Sequence, residues 1–401
     1  MHDFLVIGVD IASLAASAKR AGYRIYAVDY FGDQDLRRVC EETISALEQR
    51  EGRSCGRLSF DFNPNALLRS ARRLLKRHSI DAALLSSGLE DSPSVLFELS
   101  DLVPILGNPP ELIQKVRDRE GFLHELKRLG IPHPETAVAG DFGEARTKSK
   151  EIGYPVVLKP MRGFGGSGIR KAKDSGELER AVKEVSLLNE EFLVQEYVSG
   201  MAASASLISF SHEAATLTVN EQLTGMRAVG QREPFGYCGN VVPLSAAKTV
   251  IDECRRIAER TISHFGLIGS NGVDFVISRD GTPHVIEVNP RFQGTLECVE
   301  RVLRVNVVDA HVKACTQGIL PTVPDETSSH CTRLIIFPPQ RSSVPDLNEF
   351  EGVRDVPLPG VVVEKGEPAC SIIADGASRG SSFKKANKIA ESILESLQPA
   401  N

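Results

Sequence analysis

Two acidic residues in the second half of the chain have a spacing that could hold a metal ion. Asp274 and Glu287 lie in short apolar runs that an Asp-Gly turn separates, and such a turn between β-rich runs is typical of a hairpin. The two acids are therefore expected on adjacent strands. Because side chains alternate along a strand, Asn289 should share a face with Glu287.

Two carboxylates and an amide oxygen on one apolar sheet face would be costly to bury without a cation. Mg²⁺ prefers such oxygen ligands and commonly combines one or two carboxylates with substrate phosphates. The pattern therefore predicts a site for Mg²⁺ or Mn²⁺ at Asp274, Glu287 and Asn289, with a solvent-facing strand as the alternative. Arg291 could lie on the same face and stabilise a transferring phosphoryl group, or it could be a surface arginine.

A glycine-rich segment forms a second candidate site. Four glycines fall within residues 163–168, and such a loop lets backbone N–H groups approach phosphate oxygens without Cβ clashes. Lys159 ends the preceding strand, where its ammonium group could reach the same phosphates. A flexible turn is the alternative, and the segment is not a Walker A loop because no Gly-Lys-Ser/Thr closes it.

The first third of the chain has the pattern of a parallel α/β sheet. A strand at 4–9, a helix at 11–21 and a strand at 23–28 form a β-α-β opening, and a helix at 65–78 with strands at 82–85 and 102–106 continues it. The turn after the first strand is not GxGxxG, which argues against a dinucleotide site. The run Gly107-Asn108-Pro109-Pro110 predicts a domain boundary at residue 108.

The rest of the chain mixes the two element types, as in an α+β arrangement. Three domains are expected, at 1–108, 109–318 and 319–401, the last with short strands and a final helix near 383–397. Other helices are predicted at 111–129, 247–265 and 295–316, and strands at 154–160, 192–197, 205–210, 215–219, 272–277 and 284–288.

Composition excludes several classes of protein. The 401 residues exceed one ordinary core, and the net charge of −6 argues against a chain-wide surface for nucleic acid or anionic membrane. The eight cysteines form no CxxC pair, which favours reduced thiols. No segment has the length of a transmembrane helix or the pattern of a signal peptide, so a cytoplasmic location is expected.

In this order, the Lys-Pro and glycine-rich loop, the Glu-Tyr-Val run at 196–198 and the Asp…Glu-x-Asn-x-Arg ending resemble the ATP-grasp superfamily. The likeness covers roughly residues 1–320. Within the superfamily the chain is similar to predicted ATP-dependent carboligases related to biotin carboxylase, a group that includes carboxylate–amine ligases. The resemblance implies a Rossmann-like N-terminal (pre-ATP-grasp) domain, a two-lobed ATP-grasp domain and a small C-terminal α+β segment.

The resemblance also implies roles for individual residues. Asp274, Glu287 and Asn289 would bind one or two metal ions, and Lys159 and Arg291 would act in catalysis. The residues that would bind ATP are Arg119, Lys159, Gly163, Gly165, Gly166, Ser167, Gly168, Glu196, Tyr197 and Val198. Three positions depart from the family's pattern. Arg119 stands where family members often have a lysine, and no acid that could contact the ribose follows the Glu-Tyr-Val run at 196–198, here called the hinge. The run after Arg291 lacks the histidine that biotin carboxylases have there.

The activity implied is an ATP-dependent carboxylate–amine ligase that forms an acyl phosphate and releases ADP and phosphate. Its partners would be a small carboxylate and a small amine, with no nucleic acid or membrane. Superfamily members often dimerise, so a homodimer is an assembly to test. Two alternatives stay open: carboxylation through carboxyphosphate, and a nucleotide-binding protein without turnover.

Residues for the substrates are less well marked. The polar stretches at 221–222 and 235–240 could line an acceptor pocket or form a surface loop. Residues 86–90 follow a strand, at the end where open α/β sheets bind ligands. The run at 365–370 is expected to be a structural turn.

Overall fold

The computed structural model describes residues 2–161, 163, 165–187, 191–324 and 327–400, without the side chains of Ser59 and Phe60. Within these ranges no helix combines the length and the apolar character needed to cross a membrane. The described strands form four sheets.

The N-terminal sheet is parallel and has the order β3-β2-β1-β4. Its core is made by strands whose apolar residues are buried on both faces, which is the pattern of a sheet covered by helices. The predicted β-α-β opening is therefore confirmed. The strands are β1 (Asp3–Ile7), β2 (Arg24–Asp29), β3 (Glu42–Ser45) and β4 (Ala82–Leu85), and the helices are α1 (Ala12–Arg20), α2 (Gln34–Val39), α3 (Leu58–Asp61), α4 (Pro64–Leu75) and α5 (Pro93–Leu102).

The second sheet is a small antiparallel one with the order β5-β8-β6-β7. Two helices pack on it over a core that includes Leu158 and Phe192. Each helix begins at an aspartate, Asp141 or Asp174, whose side chain accepts hydrogen bonds from the first-turn N–H groups. The elements are β5 (Thr136–Ala139), β6 (Val156–Pro160), β7 (Arg170–Ala172), β8 (Phe192–Glu196), α8 (Phe142–Ile152) and α9 (Ser175–Val185).

The large sheet has the order β13-β12-β9-β10-β11-β14-β18-β16 and runs across residue 318, where a boundary was expected. Strands from both sides of residue 318 belong to this one sheet, and the domain boundary at that residue stays a prediction. The strands are β9 (Gly200–Phe210), β10 (Glu213–Thr224), β11 (Tyr237–Val242), β12 (Gly269–Ser278), β13 (Pro283–Asn289), β14 (His330–Ile336), β16 (Val353–Arg354) and β18 (Cys370–Gly376). A small sheet joins β15 (Ser342–Ser343), β17 (Val362–Val363) and β19 (Gln398–Pro399).

Helices cover or connect these sheets. They are α6 (Pro110–Arg117), α7 (Arg119–Arg128), α10 (Lys248–Phe265), α11 (Leu296–Leu303), α12 (Val307–Gln317) and α13 (Arg379–Ser396), with a 3₁₀ turn at Arg227–Val229.

Three predicted elements differ in the structure. The helix expected at 111–129 is interrupted at Asp118, whose backbone is extended, and the one expected at 295–316 is interrupted at Arg304, which has a φ of 55°. The breaks span one residue at Asp118 and three residues at 304–306, which is too short for the apolar pattern to reveal them. The strand expected at 102–106 is wrong, because Leu102 ends α5 and the extended part forms one bridge, between Ile105 and Ala83.

A buried histidine joins the N-terminal part to the large sheet. His311 on α12 is 3% exposed; its Nδ1 accepts from the Ser270 N–H at 2.8 Å, and its Nε2 donates to the Leu106 carbonyl at 3.0 Å. Protonation would place a hydrogen on Nδ1, facing the Ser270 N–H. Burial lowers the pKa of His311 to about 4.

We expect His311 to make stability fall in mild acid. Its folded-state pKa is depressed, so its contribution is present above the ordinary pKa near 6.5 and is lost as the pH falls toward 4. Between pH 7 and pH 5 the free energy of unfolding should drop by about 2 kcal/mol from this group. Denaturant unfolding of His311→Gln should show a shallower pH dependence than wild type. His124→Gln, at an exposed histidine, is the matched control. An unchanged slope in His311→Gln would contradict this account.

Candidate functional site

The predicted hairpin forms and brings its polar side chains together. Strands β12 and β13 pair antiparallel, with Asp274 opposite Glu287 and Gly272 opposite Asn289. The Asn289 Nδ2 donates to Asp274 Oδ2 at 3.0 Å, and the Arg291 Nη2 donates to Asn289 Oδ1 at 3.1 Å. The four residues predicted from this segment therefore form one cluster.

A fifth side chain completes the surroundings of Asp274. Gln222, from one of the stretches suggested to line a substrate pocket, donates from Nε2 to Asp274 Oδ1 at 2.8 Å. Asp274 thus accepts one amide hydrogen bond on each oxygen. These bonds hold the carboxylate in a fixed orientation on the sheet face.

Glu287 is held by two arginines from either side of a helix break. The Nη1 of Arg117, which ends α6, lies 3.4 Å from Glu287 Oε2, and the Nη2 of Arg119, which begins α7, lies 3.2 Å from the same oxygen. The extended backbone at Asp118 turns both guanidinium groups toward the hairpin. Arg119 was predicted for the site, whereas Arg117 was missed because its place in a helical pattern does not distinguish it.

The N-terminal sheet contributes two further carboxylates. Glu90 Oε1 accepts from Arg291 Nε at 2.7 Å, and Glu90 Oε2 accepts from the Gly88 N–H at 2.6 Å. Asp91 accepts from Arg117 Nε at 2.7 Å. Glu90 was among the residues suggested from the end of β4, and the same signal, an acid just after a strand, would have indicated Asp91.

Lys159 lies at the end of β6, next to the same cluster. Burial lowers the pKa of Lys159 to about 8, with the charge of Glu287 opposing that shift, Arg119 adding to it and Asp274 opposing it. Lys159 is therefore close enough to Glu287, Asp274 and Arg119 for their charges to act on its ammonium group. The structure thus brings Lys159 and the hairpin residues to one place, as predicted.

The glycine-rich loop approaches the strand that begins at Tyr237. The Tyr237 N–H donates to the Gly165 carbonyl at 2.7 Å. Gly166 has a φ of +75°, and a Cβ there would come within 2.1 Å of the Phe235 carbonyl oxygen, so only glycine fits this approach. Gly163, Ser167 and Gly168 lie in the same loop, while its Arg162 and Phe164 fall outside the described residues.

The predicted hinge lies at the end of β8, and two of its N–H groups already donate to backbone carbonyls. The Glu196 N–H donates to the Glu135 carbonyl at 2.8 Å, and the Tyr197 N–H donates to the Pro155 carbonyl at 3.1 Å. Val198 follows directly in the chain. Lys171 from β7, which the sequence did not single out, places its Nζ 3.3 Å from the centre of the Tyr197 ring.

The pKa values of the two hairpin acids are shifted in opposite directions. Burial, reinforced by the charge of Glu287, raises the pKa of Asp274. Burial also acts to raise the pKa of Glu287, but the charges of Arg119, Arg117 and Lys159 outweigh it and hold that pKa below its usual range. The cluster therefore keeps Glu287 ionised, while Asp274 gives up its proton less readily.

The oxygen donors suit a hard cation that is shared with another ligand. Among the described residues, no three His, Cys, Asp or Glu side chains are grouped to hold a metal ion by themselves. The hairpin instead offers two carboxylates and one amide, and both arginine contacts of Glu287 fall on Oε2. Such a set matches Mg²⁺, which usually binds through one or two carboxylates plus phosphates.

Comparisons with known proteins agree with this arrangement. The family model of the ATP-grasp domain matches residues 116–295. An uncharacterized protein of Methanocaldococcus jannaschii is 26% identical over 375 residues, which are 92% of this chain and 87% of that protein. The C-terminal section of the carbamoyl phosphate synthase large chain of Methanopyrus kandleri is 27% identical over 230 residues, which are 56% of this chain. The chain spans only 42% of the length of that synthase section.

The fold has solved counterparts. The biotin carboxylase of Campylobacter jejuni, in its β,γ-ATP complex, superposes with a TM-score of 0.74 at 16% identity, covering 98% of this chain and 95% of that one. The matched region 116–295 contains Lys159, the glycine-rich loop and the hairpin acids. Residues 116–295 therefore match the ATP-grasp domain, and the chain shares the fold of this solved structure.

Proposed function

We propose that the chain is an ATP-dependent ligase that joins a carboxylate to an amine through an acyl phosphate. The observation that supports this most directly is the set of charges around Glu287. Arg117, Arg119 and Lys159 surround that carboxylate, while Arg291 stands beside Asn289 on the same hairpin. A site that only stored a nucleotide would not need this alternation of cations and metal-type oxygen ligands.

In the structure Arg117 and Arg119 are paired with Glu287, and phosphates would compete for these cations. Lys159 and Arg119 would bind phosphate oxygens, since the charges of both act on Glu287 from β6 and α7. Displacing them from Glu287 would leave its oxygens for a cation, beside the carboxylate of Asp274. In this exchange the phosphates replace Glu287 as the partner of the cations, and a metal ion replaces the cations as the partner of Glu287. No buried charge is then left unpaired, which limits the electrostatic cost.

Asp274, Glu287 and Asn289 would hold the divalent metal, Mg²⁺ or Mn²⁺. When bound, this ion would neutralise the phosphate charge and polarise the phosphoryl group. Gln222 donates to Asp274 and would keep its carboxylate oriented toward the ion. The protein's own contribution in this part of the site is orientation.

The proposed reaction has two steps. A carboxylate oxygen of the acid attacks the terminal phosphorus of ATP, and ADP leaves. The amine nitrogen then attacks the acyl carbon, phosphate leaves, and the nitrogen loses its extra proton as the amide forms. Arg291 would stabilise the negative charge on the phosphoryl oxygens in both steps, because its Nη2 projects along the hairpin face.

The glycine-rich loop would exclude water from the acyl phosphate. Its contact with β11, through Gly165 and Tyr237, shows a position in which the loop lies over the large sheet. Glu196, Tyr197 and Val198 would border the adenine, with the Glu196 and Tyr197 N–H groups engaged by backbone carbonyls and therefore not available for the base. Closure of such a loop protects a hydrolysable intermediate.

The proposal can be tested by ADP release with Mg²⁺, ATP and pooled acids and amines. One acid–amine pair should stimulate release, and Glu287→Gln and Lys159→Ala should each lower that rate by about 100-fold or more, as expected for lost charge stabilisation. Glu253→Gln and Lys183→Ala are matched controls in exposed ion pairs. Stimulation by bicarbonate alone would favour carboxyphosphate chemistry, and ATP binding without any stimulated release would contradict the ligase.

Glu90 is expected to act by positioning Arg291. In Glu90→Gln the hydrogen bond to Arg291 can persist but the ion pair is lost, so the guanidinium should be held less firmly. We expect kcat to fall by about tenfold, with the KM for ATP changing less than twofold, because a positioned charge matters most in the transition state. Glu98→Gln, which also removes an arginine partner on the N-terminal part, is the control. A fall in Tm with an unchanged kcat would show that Glu90 has only a structural role.

A further inference from the structure

A second charged cluster lies where three parts of the chain meet. Asp10 follows β1, Arg333 lies on β14, and Asp355 follows β16. The Arg333 Nη2 donates to Asp10 Oδ2 at 2.7 Å and to Asp355 Oδ2 at 2.9 Å. The cluster therefore joins the carboxyl end of the N-terminal parallel sheet to the large sheet, at the edge where open α/β sheets bind ligands.

The cluster is connected directly to the candidate active site. The Arg333 Nη1 donates at 3.0 Å to the carbonyl of Gly294, three residues beyond Arg291. A Cβ on Gly294 would lie 2.8 Å from that Nη1 and 3.5 Å from the Tyr237 hydroxyl. Tyr237 also contacts the glycine-rich loop through its backbone N–H. These contacts join Arg291, Gly294, Tyr237, Arg333 and Asp10 into one connected surface, here called the wall.

One buried donor in this wall has no partner in the described part of the chain. Arg333 is 3% exposed, yet its Nε makes no hydrogen bond there. A buried N–H without an acceptor costs free energy, and an acceptor on a ligand would remove that cost. Nε and Nη2 lie side by side on a guanidinium, so this unpaired donor is adjacent to the position where Asp10 binds.

The cluster also has more negative than positive charge. Asp35 accepts from the backbone N–H groups of Asp355 and Val356, which brings a third carboxylate beside Asp10 and Asp355. Within the described residues, Arg333 is the one basic side chain in an ion pair with any of these three acids. A ligand with a positive group would offset this excess, and the Asp10 side chain, 35% exposed, is accessible to one.

We propose that this cluster binds the amine substrate of the ligase as a zwitterionic α-amino acid. Arg333 Nε donates to the carboxylate of the amino acid, and Asp10 accepts a hydrogen bond from its ammonium group and takes one of its protons before that nitrogen attacks the acyl carbon. Adjacent acceptor and donor groups on the protein match the adjacent charged groups of an α-amino acid. The inference rests on the proposed ligase function for the ligand's role as the amine that attacks the acyl phosphate. The binding itself can be measured without turnover.

Binding is tested by calorimetry with the twenty standard L-amino acids, each added to wild-type protein with Mg²⁺ and a non-hydrolysable ATP analogue. At least one should bind, and the 2-hydroxy acid and the decarboxylated amine of that compound should each bind at least about tenfold more weakly, since each lacks one charged contact. If none of the twenty binds, or if the hydroxy acid binds as well as the amino acid, the proposal is wrong.

Asp10→Asn identifies the subsite. This variant can keep the hydrogen bond to Arg333 but lacks the charge, so it should lose at least about tenfold in affinity for the amino acid and most of the preference over the hydroxy acid. Asp375→Asn, at an aspartate paired with Arg301 outside the cluster, is the control and should retain both. Equal preference in the two variants would show that the cluster only joins the parts of the fold.

Nucleotide binding is measured separately, so the two proposals can fail independently. If wild type binds the ATP analogue but no amino acid, the subsite is wrong while the ligase proposal stands. If an amino acid binds with the expected dependence on Asp10 but the nucleotide does not bind, the subsite stands and the proposed reaction is wrong.

Discussion

The ion pairs of Glu287 are the interaction on which the rest of the site depends. This carboxylate, on the second strand of the hairpin, holds Arg117 and Arg119, and Arg117 in turn holds Asp91 after the last strand of the N-terminal sheet. An unpaired charge in such a partly buried place would cost several kcal/mol. The network therefore ties the hairpin, the junction of α6 and α7 and the N-terminal sheet into one structure.

A parallel set of contacts runs through Arg291. Its Nε is held by Glu90 and its Nη2 by Asn289, so a side chain of the region that matches the ATP-grasp domain is fixed both from the N-terminal sheet and from the strand that precedes it. Beyond it, Gly294 leads to Arg333 and Asp10. The N-terminal part thus supplies acids at two points of the wall, Glu90 and Asp10.

Local patterns predicted some features well because they depend on few neighbours. The Asp-Gly turn and two β-rich runs were enough to place Asp274 and Glu287 on adjacent strands, and the structure pairs them directly. The same reasoning failed at Asp118 and Arg304, where breaks of one and three residues divide a predicted helix without disturbing its apolar period. The break at Asp118 is decided by packing, because it lets arginines on both sides of it reach one carboxylate.

The sequence by itself determined the α/β class of the N-terminal part, the glycine-rich loop after Lys159 and the hairpin with its acids, all of which follow from short-range periodicity and turn chemistry. Only the tertiary structure decided which charges meet. Arg117 with Glu287, Glu90 with Arg291 and Asp10 with Arg333 are separated by 170, 201 and 323 residues along the chain. No local pattern encodes such pairs, since the partners are chosen by how the sheets pack and by the cost of leaving a buried charge unpaired.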